Sequence, residues 1–143
     1  MAKKTTKTEK SASAFDYKKI KSFSDACKKE NINPEALPDV SMIPEEFAKA
    51  ILAVYKLFII FKAINNGWEP NWNDSSQYKY FPWFYVDASE KVPSGFGFSY
   101  SDFDCGYTDT YCSSRLCTDT SEKARYMAAQ FESEYKDFLL NIK

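Results

Sequence analysis

The stretch from Pro44 to Asn66, PEEFAKAILAVYKLFIIFKAINN, constrains the fold more than any other part of this chain. Proline at a first-turn position, then Glu45 and Glu46 at the positive end of the helix dipole, predicts a helix start. Asn65-Asn66-Gly67 predicts its end, with glycine taking a left-handed stop. Between those limits Phe47, Ala50, Ile51, Val54, Leu57, Phe58, Phe61, Ala63 and Ile64 recur at helical spacing. Leu52, Tyr55, Ile59 and Ile60 widen the apolar stripe until little polar face remains, so the helix must be covered on most sides. The apolar run from Ala50 to Ile64 is too short for an ordinary bilayer span and holds Lys56 and Lys62, which argues against a membrane helix.

At 143 residues the chain is expected to form one domain, long enough to bury a core without staples. Charge is unevenly placed. Residues 1–21 hold seven lysines against Glu9 and Asp16, a net +5, while the remainder holds twelve cations against eighteen carboxylates, a net −6. Histidine is absent, which removes the commonest general base, the commonest metal ligand and a simple imidazole pH switch. The four cysteines, Cys27, Cys105, Cys112 and Cys117, follow no export signal and are expected to be thiols.

Residues 1–14, rich in lysine, threonine and serine, predict a disordered basic tail ahead of a single α+β domain over 15–143. A solubilising leader is one reading of that tail. The other is a weak electrostatic contact with nucleic acid through Lys3, Lys4, Lys7 and Lys10. Phe15 to Lys21 alternates apolar and polar, as a short edge strand or a packed extension. Ser22 or Ser24 then caps a short helix with Phe23, Ala26 and Cys27 inward, ended by Asn31. The connector holds Pro34, Pro38 and Pro44 and runs extended, with at most one helical turn over Pro34–Leu37.

After Gly67 the spacing predicts an ordered loop in which Trp68 and Trp72 cover the helix end, then a strand over Tyr78–Val86 with Pro82 at an edge or bulge. A turn over Glu90–Gly95 leads to the clearest strand, Phe96–Phe103, and a second turn around Gly106 leads to a third, Asp109–Cys117. Three neighbouring strands with short connections predict an antiparallel meander. Ser121 and Glu122 then open an amphipathic C-terminal helix with Ala124, Met127, Ala128, Phe131, Tyr135, Phe138, Leu139 and Ile142 on one stripe.

The segments SFSDAC, INPEALP, YKLFIIFKAINNGWEPNWND, YKYFPWF, SGFGFS, SSRLC and ARYMAAQF followed by YKDF together resemble a family of short uncharacterised proteins of phages and prophages of Bacteroidetes-type gut bacteria. The resemblance spans roughly Phe15 to Leu140. It implies a phage context, a small accessory protein and a location in the host cytoplasm or the virion. The family carries no established activity, so it implies no mechanism.

Asp102, Asp104, Gly106 and Asp109 echo a calcium loop, yet the remaining ligands are missing and Phe103 and Cys105 intrude, so the segment reads as an acidic turn. Cys105, Cys112 and Cys117 match no zinc spacing, and the fourth ligand would be distant Cys27. No metal, cofactor or catalytic residue is assigned. Arg115 stands mid-strand among serines, where a guanidinium takes a carboxylate partner or an anionic ligand. Trp68, Trp72, Tyr78, Tyr80, Trp83 and Arg115 form the candidate binding set. The aromatics among them read as core, as a protein-binding face or as a stacking platform for single-stranded nucleic acid.

The expected fold is α+β: a short helix, a buried central helix, a three-stranded antiparallel meander and a C-terminal helix packed on the sheet, with both long helices on one sheet face. The expected function is that of a non-enzymatic phage accessory protein working through protein–protein contact, on a host factor or within a phage assembly. The alternative is a nucleic-acid-associated protein using the lysine-rich tail and the aromatic surface.

Overall fold

The computed structural model describes residues 14–85, 97–104 and 115–140. The lysine tail, both predicted hairpin turns, Cys105, Asp109, Cys112, Ile142 and most of the third predicted strand lie outside the described residues.

The segment ahead of the first helix is a packed extension, not a strand. Asp16 accepts a hydrogen bond from the Lys18 N–H at 3.0 Å and opens one 3-10 turn, Tyr17–Lys19. Tyr126 donates its hydroxyl to the carbonyls of Lys18 (3.1 Å) and Ile20 (2.8 Å), and Gln130 donates to that of Lys21 at 2.8 Å. Those backbone groups are therefore satisfied by side chains from the far end of the chain, and Ile20 is buried between them.

Helix α1 spans Phe23–Glu30. Ser22 accepts from the Asp25 N–H, and the Asp25 carboxylate accepts in return from the Ser22 hydroxyl and the Lys21 N–H. These bonds hold the Asp25 carboxyl below its ordinary value, the Ser22 hydroxyl contributing most. Asn31 in the left-handed region, φ 55°, ends the helix, and Ala26 and Cys27 are fully buried.

Helix α2 spans Glu45–Asn65. Its left-handed stop begins on Asn66 (φ 49°), one residue ahead of the expected Gly67, which also has positive φ; asparagine tolerates this conformation because its short polar side chain can bond locally. Burial is uneven along α2. Leu57, Ile60, Phe61, Ala63 and Ile64 are in the core, while Phe47, Ile51 and Phe58 are 53%, 36% and 38% exposed. The expected covering on most sides therefore holds for the second half alone. No helix among the described residues is long and apolar enough to cross a membrane.

Strands β1, Lys79–Tyr85, and β2, Gly97–Asp104, pair antiparallel from Lys79 opposite Asp104 to Tyr85 opposite Gly97. The register shifts between Trp83 and Phe84, beside Pro82, whose missing N–H weakens the ladder there. The three-stranded meander is not supported: among the described residues the sheet has two strands. The chain returning from residue 115 adds only an isolated bridge on β1, in which Tyr80 and Thr118 exchange backbone bonds of 3.0 and 2.8 Å.

The single C-terminal helix is also corrected. It is two helices, α3 (Ser121–Gln130), capped by Thr120, and α4 (Glu132–Leu139). Between them Phe131 leaves helical geometry at φ −118°, ψ 31°, with its ring fully buried. The physical reason is packing: α3 lies on both strands, whereas α4 packs against α2, and one straight rod cannot serve both. Helix α2 packs against α1 and α4 and does not share a sheet face with α3. The core joins Cys27, Leu57, Ile60, Phe61, Ile64, Leu116, Met127 and Phe131, with Phe84 against Tyr135 at 4.6 Å linking sheet to α4.

Candidate functional site

The last turns of α2 supply Phe58, Phe61, Lys62 and Asn65 to one wall of a cavity of about 620 Å³. The loop that follows supplies Trp68, Glu69, Pro70 and Trp72, and Arg115 comes from the far end of the chain.

The loop is built to hold its shape. Asparagine and aspartate side chains bond backbone groups two residues on: Asn71 accepts from the Asn73 N–H at 3.0 Å and Asp74 from the Ser76 N–H at 2.9 Å. Gln77 accepts from the Asn71 N–H at 2.6 Å and donates to the Glu69 carbonyl at 3.3 Å. At the centre is Lys79, only 4% exposed. Its ammonium donates to the carbonyls of Asn71 (2.8 Å), Asp74 (3.1 Å) and Gln77 (2.8 Å). Three donors meet three acceptors, which is what lets a lysine sit inside. The same ammonium stands 5.3 Å from the centre of the Trp72 ring, so the indole is fixed by a cation–π contact.

Arg115 is brought to the cavity by Asn65. The Asn65 side-chain amide donates to the Cys117 carbonyl at 2.8 Å, which pins the returning chain to the end of α2. Asn65 is buried, and its Oδ1 has no partner among the described residues. Arg115 is exposed and forms no ion pair among the described residues, whereas Lys62 reaches Glu30 at 3.3 Å.

The six predicted binding residues divide into two groups. Trp68, Trp72 and Arg115 come together at the cavity. Tyr78, Tyr80 and Trp83 belong to β1 and its start, with Tyr78 and Trp83 exposed, Tyr80 half-buried and the Tyr78 and Tyr80 ring centres 6.4 Å apart. Sequence reasoning did not assign Phe58, Lys62 or Asn65 to the site. Their only local signal is that all three fall at the closing turns of the helix that Trp68 was expected to cover.

The chemistry available here is recognition. The walls offer two indoles, two phenylalanines and a proline for an apolar body, with a guanidinium at the rim for an anionic group. Among the described residues Glu69 is the one carboxylate in the lining, and no nucleophile stands beside a base there. Cys117 is buried nearby, and burial pushes its thiol up to about 11, which makes it an inert core residue. Among the described residues no group of three or more cysteines and carboxylates is placed to hold a metal ion. Of the predicted acidic turn, Asp102 and Asp104 fall in strand β2, while Gly106, Asp109 and the lysines of the tail lie outside the described residues. No known family profile, no curated protein and no solved structure matches this chain.

Proposed function

We propose that the chain is a small non-enzymatic phage accessory protein that works by protein–protein contact, on a host factor or in a phage assembly, with the cavity at the end of α2 as its contact point. The phage context is what the resemblance over residues 15–140 implies. The observation that carries the reading is the convergence of Trp68, Trp72 and Arg115 on one concave, pre-shaped site. Tryptophan and arginine are residue types on which protein interfaces concentrate their binding energy: the indole covers a large area with few rotamers to fix, and the guanidinium offers a planar fork of donors. The charges near the site favour a protein over a polyphosphate: the Lys79 ammonium is fully engaged by carbonyls, Lys62 pairs with Glu30, and Glu69 lines the wall.

Affinity capture from phage-infected cells, comparing the wild type with the Trp72→Ala/Arg115→Ala double variant, tests this directly. Both side chains are exposed, so the variant is expected to keep the native circular dichroism spectrum and to lose a protein that the wild type retains. Equal recovery by both chains would overturn the assignment. Salt-dependent retention on single-stranded DNA that disappears on deleting residues 1–14 would replace it with the nucleic-acid reading.

A further inference from the structure

Three charged side chains line the cavity at the end of α2, and they differ in how their charge is met. The Lys62 ammonium reaches Glu30 at 3.3 Å and is answered within the chain. Glu69 and Arg115 are both exposed, and among the described residues neither forms an ion pair, with the other or with any third group. The nearby Lys79 ammonium is engaged by three loop carbonyls and adds no free cation. The charge on offer at this mouth is therefore one guanidinium and one carboxylate.

That balance selects against ligands of a single sign. An all-acidic segment that pairs with Arg115 brings a second negative charge near Glu69, and an all-basic one does the reverse at Arg115. A neutral segment that covers the mouth draws both charges out of water and returns nothing to either. A ligand with one charge of each sign answers both. The Trp72 ring already faces the Lys79 ammonium at 5.3 Å, so an incoming cation gains less from that indole than from the Glu69 carboxylate. The two charges are also placed before anything binds. Gln77 donates to the Glu69 carbonyl within the shaped loop, and the Asn65 bond to the Cys117 carbonyl pins the chain that carries Arg115.

Taking the cavity as the contact point argued above, we propose that its occupant is a short mixed-charge segment of the partner protein. One large apolar side chain of that segment seats against Trp68 and Trp72, flanked by a carboxylate for Arg115 and by a lysine or arginine for Glu69. The apolar walls supply most of the affinity, and the two charges choose among apolar segments.

The probes are capped heptapeptides with a central phenylalanine in a glycine and serine frame, carrying Glu and Lys, two Glu, two Lys or two Gln at the flanking positions. Binding to the full chain is read from its tryptophan emission, to which the probes contribute nothing. The Glu/Lys peptide is expected to bind roughly fivefold tighter than each of the other three, with the margin narrowing at about 1 M salt. Arg115→Glu is expected to move the preference to the Lys/Lys peptide, and Glu69→Lys to the Glu/Glu peptide. Both positions are exposed, so both variants should keep the native circular dichroism spectrum. A wild type that ranks the Glu/Lys peptide no higher than the others overturns the proposal. So does a ranking that the two reversals leave unmoved, or an emission that no peptide changes saturably. The contact point itself is judged separately, by what Trp72→Ala/Arg115→Ala fails to retain from infected cells.

Discussion

The side chain of Asn65 donates to the main-chain carbonyl of Cys117 at 2.8 Å, tying the last residue of the central helix to a position 52 residues further along the chain. Together with the Tyr80–Thr118 bridge, this bond holds the returning chain so that Arg115 reaches the cavity lined by Trp68 and Trp72. Asn65→Asp replaces its donor with an acceptor and places a carboxyl in a buried position. Burial raises the pKa of that carboxyl above its unfolded value, so the protonated, bond-donating form is kept at low pH and its stability is lost as pH rises. The expected loss in urea unfolding is about 2–3 kcal/mol at pH 7 and clearly less at pH 4. An equal loss at both pH values would show that the bond does not bear on stability in this way.

Two neighbouring residues of α2 should respond very differently to truncation. Leu57 is fully buried, and Leu57→Ala is expected to cost about 3 kcal/mol through lost transfer energy and the cavity left behind. Phe58, 38% exposed, is expected to cost under about 1 kcal/mol on conversion to alanine. Denaturant midpoints of the two variants at low protein concentration check the contrast, which comparable losses would refute.

Lys79→Met keeps the apolar stem and removes all three donors from the loop carbonyls. The expected outcome is a stability loss of about 2–3 kcal/mol and a red-shift of tryptophan emission as Trp72 loses the cation above its ring. Lys79→Arg should fail to restore either property, because a planar fork cannot direct three bonds to carbonyls spaced for an ammonium.

Burial raises the thiol of Cys27 as well as that of Cys117, the latter from 9.0 to about 11. Both should resist iodoacetamide at pH 8 in the native protein and react in urea, as read by peptide-resolved mass spectrometry. A thiol raised in the folded state contributes stability below its unfolded value, and that contribution disappears as pH rises. The native state should therefore weaken between about pH 9 and pH 11 by the Cys117 contribution, and Cys117→Ser should lessen that slope.

Much of the architecture was legible in the residues themselves. Ser22, Asn31, Pro44 and Asn66 mark helix ends with local chemistry that no tertiary contact overrides, and the alternation around Tyr80 and Phe98 marks two strands. The break at Phe131 was not legible. Its apolar period runs on through Ala124, Met127, Ala128 and Tyr135 with no glycine or proline, and the chain turns there because two helices must face two different partners. Lys79 falls inside the strand predicted over Tyr78–Val86, and nothing in its neighbours announces three carbonyls waiting for an ammonium. Of the candidate site, Trp68 and Trp72 followed from sequence, as the indoles expected over the helix end. Its meeting with Arg115 did not, because a bond between positions so far apart leaves no periodic trace.

An ammonium inside the loop around Trp72 does for that segment what a bound calcium does in many recognition loops, yet it arrives already attached to the polypeptide. Chelators and shortages of divalent ions should leave the segment's geometry untouched. Its vulnerability is chemical instead: acylation of that one amine would dismantle the loop from within, and the slowness of such labelling would time how often it opens.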